Sequence, residues 1–341
     1  MKNILKLAAT ALLICSPALS AELNLKKYHN KTIVHLSGPI ELGDAEEFRG
    51  IMKAAILEPG IERLVVSLDS PGGNVHEAIE IGKTVRKVLA ETWTTSTEVW
   101  THNLKREVQG TLIPGHKQAF ADLDAPLPEL SKCWSACTII FYSGASRAVF
   151  DNRDHRLIEL GKTRVYPTIG VHRPIYLAKE YGKLTPEEAQ NAYANMLQDM
   201  SDALTKMGAP DEFIKLTMAT PSEDIQLIPK EKMETLLEPT EPFFEEWVAA
   251  KCGRRTDVLA DQEEHNLFNR YSQMWSDVMD MSINERLEWS EDVALVKEFG
   301  LTNAVRVKEI SKKVSNWEKS LQFCEDILVR TTRNAWAKKA N

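Results

Sequence analysis

Arg63-Leu64-Val65-Val66-Ser67-Leu68-Asp69-Ser70-Pro71-Gly72-Gly73-Asn74-Val75 is the stretch on which the fold reading turns. The apolar run Leu64 to Leu68 predicts a buried strand, and Ser70-Pro71-Gly72-Gly73 turns the chain. From Val75 to Leu89, Val75, Ala78, Ile79, Gly82 and Val85 recur at helical spacing. A strand, a glycine turn and a helix in that order make half of a β-α-β unit. Working outward, Thr32 to Leu36 reads as a strand and Asp44 to Leu57 as a helix with Phe48, Met52 and Ala55 on one face. Trp93 to Val99 is again strand-like. Such alternation predicts an α/β layer structure.

The 341 residues carry a net charge of -7, with 43% hydrophobic and 27% charged content, which excludes collagen-like, disordered and multi-span membrane classes. The mild acidity gives no basic footprint for nucleic acid. HExxH, paired CxxC and Walker-type signatures are missing from the sequence, so no metal or cofactor is expected. The start of the chain reads as an export signal: Lys2 and Lys6, an apolar run Leu7 to Cys15, then Ala18-Leu19-Ser20-Ala21 with small residues for cleavage. Removing residues 1–20 takes away two lysines and no acid, which moves the net charge from -7 to -9. The expected location is the periplasm.

Four cysteines remain after that cut: Cys133, Cys137, Cys252 and Cys324. In an oxidising compartment an even count suggests disulfides. Cys252 and Cys324 are the preferred pair, stabilising their segment by roughly 2–4 kcal/mol. Cys133 and Cys137 are left open, bridged or free.

Residues 21–240 form the expected α/β domain, with an inserted loop or lid at about 101–131. Thr185-Pro186-Glu187-Glu188 starts a helix that runs to Met207 and stops at Gly208, with Tyr193, Met196, Met200, Leu204 and Met207 in one stripe. That stripe reads as core or oligomer contact. Residues 241–341 are helical, charged and tryptophan-rich, and are expected to form a C-terminal helical domain.

Three segments carry candidate chemistry. Two glycines after a buried strand let a backbone amide point outward, as an oxyanion hole requires. Cys133-Trp134-Ser135-Ala136-Cys137 puts a serine where a loop enters an apolar helix, beside the amide of Ala136. Gly170-Val171-His172-Arg173-Pro174 puts an imidazole at a strand end, and a serine hydroxyl needs such a base to attack. Each alone has a structural explanation: a helix cap, a satisfied histidine, an ordinary turn.

Taken together, residues from Thr32 to Leu237 resemble the proteolytic subunit of Clp protease, of the ClpP/crotonase fold with its repeated β-β-α core. The resemblance rests on Leu68-Asp69-Ser70-Pro71-Gly72-Gly73, on Ser135 followed nine residues later by Gly144-Ala145, and on His172-Arg173-Pro174. It implies a triad of Ser135, His172 and Asp224, the last from Asp224-Ile225-Gln226-Leu227 with Glu231, and oxyanion amides at Gly73 and Ala136. The sequence departs from the family at the bulky Lys132-Cys133-Trp134, at the insertion, and in the C-terminal helical segment. The expected function is an exported, ATP-independent serine peptidase acting on peptide or protein, with no ATPase partner and with assembly into a homo-oligomer left open. The alternatives are a catalytically silent binding or scaffolding protein, a crotonase-type acyl enzyme with no visible coenzyme A feature, and a serine-lysine peptidase, against which His172 speaks.

Overall fold

The computed structural model describes residues 20–28, 31–59, 63–94, 131–149, 152–153, 165–166, 168–175, 182–228, 232, 235–237, 242–282, 285–286 and 289–339. The export signal before Ser20, nearly all of the expected insertion, the end of the Trp93–Val99 strand and Glu231 lie outside the described residues.

The main sheet has the order β1-β2-β3-β4-β6, from β1 (Glu22–Tyr28), β2 (Lys31–Ser37), β3 (Arg63–Asp69), β4 (Glu91–Thr94) and β6 (Arg147–Val149). Strands β2, β3, β4 and β6 run parallel, and β1 closes one edge antiparallel to β2. Helix α1 (Asp44–Leu57) connects β2 to β3, and α2 (Val75–Lys87) connects β3 to β4. The five central residues of β2 and of β3 are buried, which is why these strands read as apolar runs rather than as alternation. Val34, Leu36, Leu64, Val66 and Leu68 face a core shared with Phe48 and Met52 of α1 and with Ala78, Ile81 and Val85 of α2. Asn74 caps α2 by accepting from the Glu77 amide at 3.1 Å.

A second, three-stranded sheet has the order β10-β9-β5, with β5 (Cys133–Trp134) parallel to β9 (Ile169–Val171) and β10 (Gln226–Leu227) antiparallel to it. A short helix α3 (Cys137–Tyr142) follows β5, and its six residues are all buried. Two single bridges, Ser70 to Cys133 and Ile40 to Gly73, tie this smaller sheet and the β2–α1 loop to the carboxyl end of β3. Asn152–Arg153 and Val165–Tyr166 form a separate antiparallel pair, β7 and β8. Helix α4 (Pro186–Lys206) starts with a full capping box between Thr185 and Glu188. Of its apolar stripe, Met200 and Leu204 are buried in the core together with Met207 just past its end, whereas Tyr193 and Met196 are only half-buried. Helix α5 is Asp211–Ala219.

The remainder is helical, as expected: α6 (Pro242–Cys252), α7 (Gln262–Asp280) and α8 (Glu291–Lys339), the last kinked at Gly300 with φ +75°. It has a core of its own around Leu267, Leu295, Phe299, Val307, Ile310 and Val314. Cys252 and Cys324 form the expected disulfide, which joins α6 to α8. The end of α8 returns to the α/β core. Ala337 is buried there, and Arg333 donates through Nε to the carbonyl of Val88 at 3.0 Å and through Nη2 to that of Leu89 at 2.9 Å. These carbonyls end α2, where a cation also complements the helix dipole. Burial lowers the Arg333 guanidinium to a pKa of about 10, so it remains charged at neutral pH. Among the described residues, no helix is long and apolar enough to cross a membrane.

Two predictions follow from this packing. Arg333→Leu leaves two buried carbonyls without a donor and should cost about 1–3 kcal/mol in denaturant unfolding; an unchanged midpoint would mean that α8 does not dock there. The second concerns His35, buried and bonded to Ser67 Oγ at 3.0 Å. Desolvation, helped by the nearby Lys26, pushes its pKa down to about 4 from an ordinary 6.5. The unfolded chain therefore takes up a proton more readily, and stability present above pH 6.5 is lost as the pH falls toward 4. The loss amounts to about 3 kcal/mol. Unfolding of His35→Gln measured across that window should show a correspondingly shallower acid slope.

Candidate active site

Three strand ends meet at the candidate site. The carboxyl end of β3 continues into Ser70-Pro71-Gly72-Gly73, that of β5 into Ser135, and that of β9 into His172. The connections are backbone hydrogen bonds: Ser70 N to the Lys132 carbonyl at 2.6 Å, Trp134 N to the Ser70 carbonyl at 3.0 Å, and Ser135 N to the Gly170 carbonyl at 2.9 Å. Parallel pairing of Trp134 with Gly170, continued by one residue, sets Ser135 beside Val171, next in sequence to His172.

Glycine at positions 72 and 73 is a requirement of this junction. Both have positive φ, +94° and +142°. A Cβ on Gly72 would lie 2.6 Å from the Trp134 carbonyl oxygen, 2.8 Å from Ser135 Cβ and 3.0 Å from Ala136 N; one on Gly73 would lie 2.2 Å from the Ile40 carbonyl oxygen. The turn is thus pressed directly against the serine segment. Ile40 N donates to the Gly72 carbonyl and Asn74 N to the Ile40 carbonyl, both at 2.8 Å, which fixes the turn from its other side. Among the described residues, neither the Gly73 nor the Ala136 amide donates to any acceptor. Two free N–H groups therefore sit on adjoining segments beside Ser135.

Ser135 has φ +52°, in the left-handed region that L-residues with a Cβ avoid, and such a conformation costs of order 1–3 kcal/mol. It is bracketed by the Cys133–Cys137 disulfide, so the pairing left open by the sequence is bridged. Its hydroxyl does not cap α3: the cap position is Ala136, with no side-chain bond. Ser135 holds the helix through its carbonyl instead, which accepts from Thr138 N at 3.0 Å and Thr138 Oγ1 at 2.7 Å. The side chain is 6% exposed, and no described residue hydrogen-bonds its Oγ. A structural cap therefore does not explain this serine.

His172 is half-buried, and its Nδ1 donates to the Arg173 carbonyl at 2.8 Å. A carbonyl can only accept, so the neutral ring carries its proton on Nδ1 and presents the lone pair on Nε2. Arg173 N in turn donates to the Thr220 carbonyl at 3.0 Å. Asp224 is exposed and has no hydrogen bond to His172. The β9–β10 ladder ends at Gln226 opposite Val171, and Asp224 lies before it in a turn whose amide donates to the Pro221 carbonyl at 3.2 Å. The structure therefore brings Ser135, Ala136, Gly73 and His172 to one edge, with Asp224 in the turn before β10. Beside it, Glu223 is held below the usual carboxylate range by its own backbone amide and by Ser222.

Two features were not foreseen from the sequence. A Cβ on Gly170 would lie 2.6 Å from Trp134 Cδ1 and 2.7 Å from Ile225 Cγ2, so this glycine lets both side chains close over β9. Trp134 Nε1 and Arg173 Nε are buried donors with no acceptor among the described residues.

No protein-family model matches the chain, and no curated protein matches it.

The glycine contacts give a paired expectation. Gly73→Ala combines positive φ with a backbone clash and should destabilise by about 2–4 kcal/mol. Gly50→Ala, on exposed α1 with open space around it, should stabilise by about 0.5–1 kcal/mol. Chemical denaturation of both variants checks the contrast; equal effects would contradict the tight junction.

Proposed function

We propose that this chain is an exported, ATP-independent serine peptidase of the ClpP/crotonase fold, with Ser135 as nucleophile and His172 as general base. The observation that carries the reading is the strained, disulfide-bracketed Ser135 beside two free amides, those of Gly73 and Ala136. In this mechanism Ser135 Oγ attacks the carbonyl carbon of a peptide bond while His172 Nε2 takes its proton. The carbonyl oxygen becomes an oxyanion that accepts from Gly73 and Ala136, two amides that no other acceptor among the described residues occupies. His172 then returns the proton to the leaving amine, and water hydrolyses the acyl-enzyme by the same steps. The Arg173 carbonyl holds the imidazole tautomer, the task that Asp224 would share if the turn before β10 brought its carboxylate to the ring. Two disulfides and the small-residue cleavage pattern support periplasmic residence, away from cytoplasmic ATPases.

A second reading is a catalytically silent binding or scaffolding protein. The observation that favours it is that no hydrogen bond joins Ser135 to His172 among the described residues, although such bonds often tighten only when substrate is bound.

The two readings part in one experiment. Ser135→Ala and His172→Ala should each lower peptide hydrolysis by about 10⁴-fold, with the double variant little worse, and Asp224→Asn should cost less than either. A fluorophosphonate probe should label Ser135 in the mature protein and leave Ser135→Ala unlabelled. Additive serine and histidine effects, or full activity in Ser135→Ala, would leave the scaffold reading.

A further inference from the structure

Asp44, the first residue of α1, is a buried carboxylate, 1% exposed, with no cation bonded to it among the described residues. Next to it, Glu77 of α2 is also buried, and its Oε2 accepts from Ala45 N at 2.8 Å. A buried carboxylate is stabilised most by a positively charged donor, since burying charge without one is expensive. What reaches Asp44 is the Ser20–Ala21 segment. Ala21 N donates to Asp44 Oδ2 at 3.2 Å, and the Ser20 hydroxyl donates to Oδ1. Ala21 is buried in the main core, while Ser20 is exposed. A Cβ on Gly38 would come within 4.0 Å of both Ala21 Cα and the Ser20 carbonyl oxygen, so the seat is closely fitted. The bond between Ser20 and Ala21 is also the one that the Ala18-Leu19-Ser20 pattern marks for cleavage.

We infer that cleavage of the Ser20–Ala21 bond creates an α-ammonium that pairs with buried Asp44, and that this pair fixes the Ile40–Glu41 segment against Gly72-Gly73. The inference rests on the export reading made above. In the cleavage, water adds across the amide: hydroxyl goes to the Ser20 carbonyl carbon, the C–N bond breaks, and nitrogen keeps the electron pair and takes a proton. The leader leaves with a carboxylate and the mature chain starts with an amine. An α-amine of ordinary basicity, pKa about 7.7–8.0, is largely protonated at neutral pH. A neutral amide donor facing Asp44 thereby becomes a charged one, and charge-assisted bonds are roughly twice as strong as neutral ones.

The consequence travels three residues. The same Asp44 Oδ2 accepts from Glu41 N at 2.7 Å. Its neighbour Ile40 donates to the Gly72 carbonyl, accepts from Asn74 N and bridges to Gly73. The mature N-terminus and the free Gly73 amide are thus linked through one carboxylate and one backbone segment. Processing and final ordering of the glycine turn become the same event.

The test starts from the full chain exported by a bacterial host. The purified protein should begin at Ala21. Its α-amine should react with an amine-terminus reagent such as 2-pyridinecarboxaldehyde at least about tenfold more slowly in the native than in the denatured protein. A form with a Gly-Ser dipeptide ahead of Ala21 should show an unfolding equilibrium constant about tenfold higher, with faster amide exchange at Ile40 and Asn74. Asp44→Asn should remove the difference between the two forms. If Asp44→Asn does not fold, amine protection and amide exchange in the unmutated forms still decide. A mature chain starting elsewhere would overturn the export premise and the inference with it. A chain starting at Ala21 whose amine reacts equally fast in both states, or an extension without cost, would overturn the ion pair alone.

Discussion

The contact on which the rest of this structure depends is the approach of Gly72-Gly73 to two other backbones at once. On one side lies Ile40 from the β2–α1 loop, and on the other Trp134, Ser135 and Ala136 from the β5–α3 junction. A side chain at either glycine would fall inside the contact distance of backbone atoms, which cannot give way as a flexible side chain can. The main sheet and the smaller sheet meet through this junction, since the isolated bridges at Ser70 and Gly73 flank it. The smaller sheet, with only two- and three-residue strands, depends on this junction and on the core it shares with the main sheet through Cys133, Ile169 and Val171. The candidate chemistry lies where the two depend on each other.

That dependence explains which parts of the fold were legible in the sequence. Strands β2 and β3 and helices α1, α2 and α4 announce themselves through local periodicity, caps and glycine turns, because their burial is decided by their own residues. Strand β1 was missed. Glu22-Leu23-Asn24-Leu25-Lys26-Lys27-Tyr28 is an edge strand with charged residues on its open side, and only pairing with β2 makes it a strand. The docking of α8 was equally hidden. Arg333 sits in a polar helical run, and its burial depends on carbonyls about 245 residues earlier in the chain. Local pattern carries no trace of such a partner.

The candidate site divides along the same line. Gly73, Ser135, Ala136 and His172 occupy ends of hydrogen-bonded strands, so their convergence follows from strand order. Asp224 lies in the turn just before β10, where its amide donates to the Pro221 carbonyl, and it makes no hydrogen bond to His172. A turn residue is placed by its local hydrogen bonds and not by the ladder, so a match in sequence spacing does not by itself deliver a contact. The His172 ring, lacking that partner, takes the nearest carbonyl, that of Arg173. Sequence could name the segment; only the turn geometry could say whether it reaches the imidazole.

Holding Ser135 at φ +52° costs free energy that its own side chain does not return, since the hydroxyl neither caps α3 nor bonds any described group. Something else must fix the conformation. The Cys133–Cys137 disulfide closes a ring of five residues around it, and Thr138 holds its carbonyl twice. Lys132 and Trp134 also serve this end. The Lys132 amide donates to Asp69 Oδ1 at 3.0 Å, and Trp134 packs into the space that Gly170 leaves open. An exported protein can rely on a disulfide for this task where a cytoplasmic one cannot. Residues 132–137 therefore act together: a covalent clamp, a backbone tie to Asp69 and the packed Trp134 hold a strained serine beside two free amides.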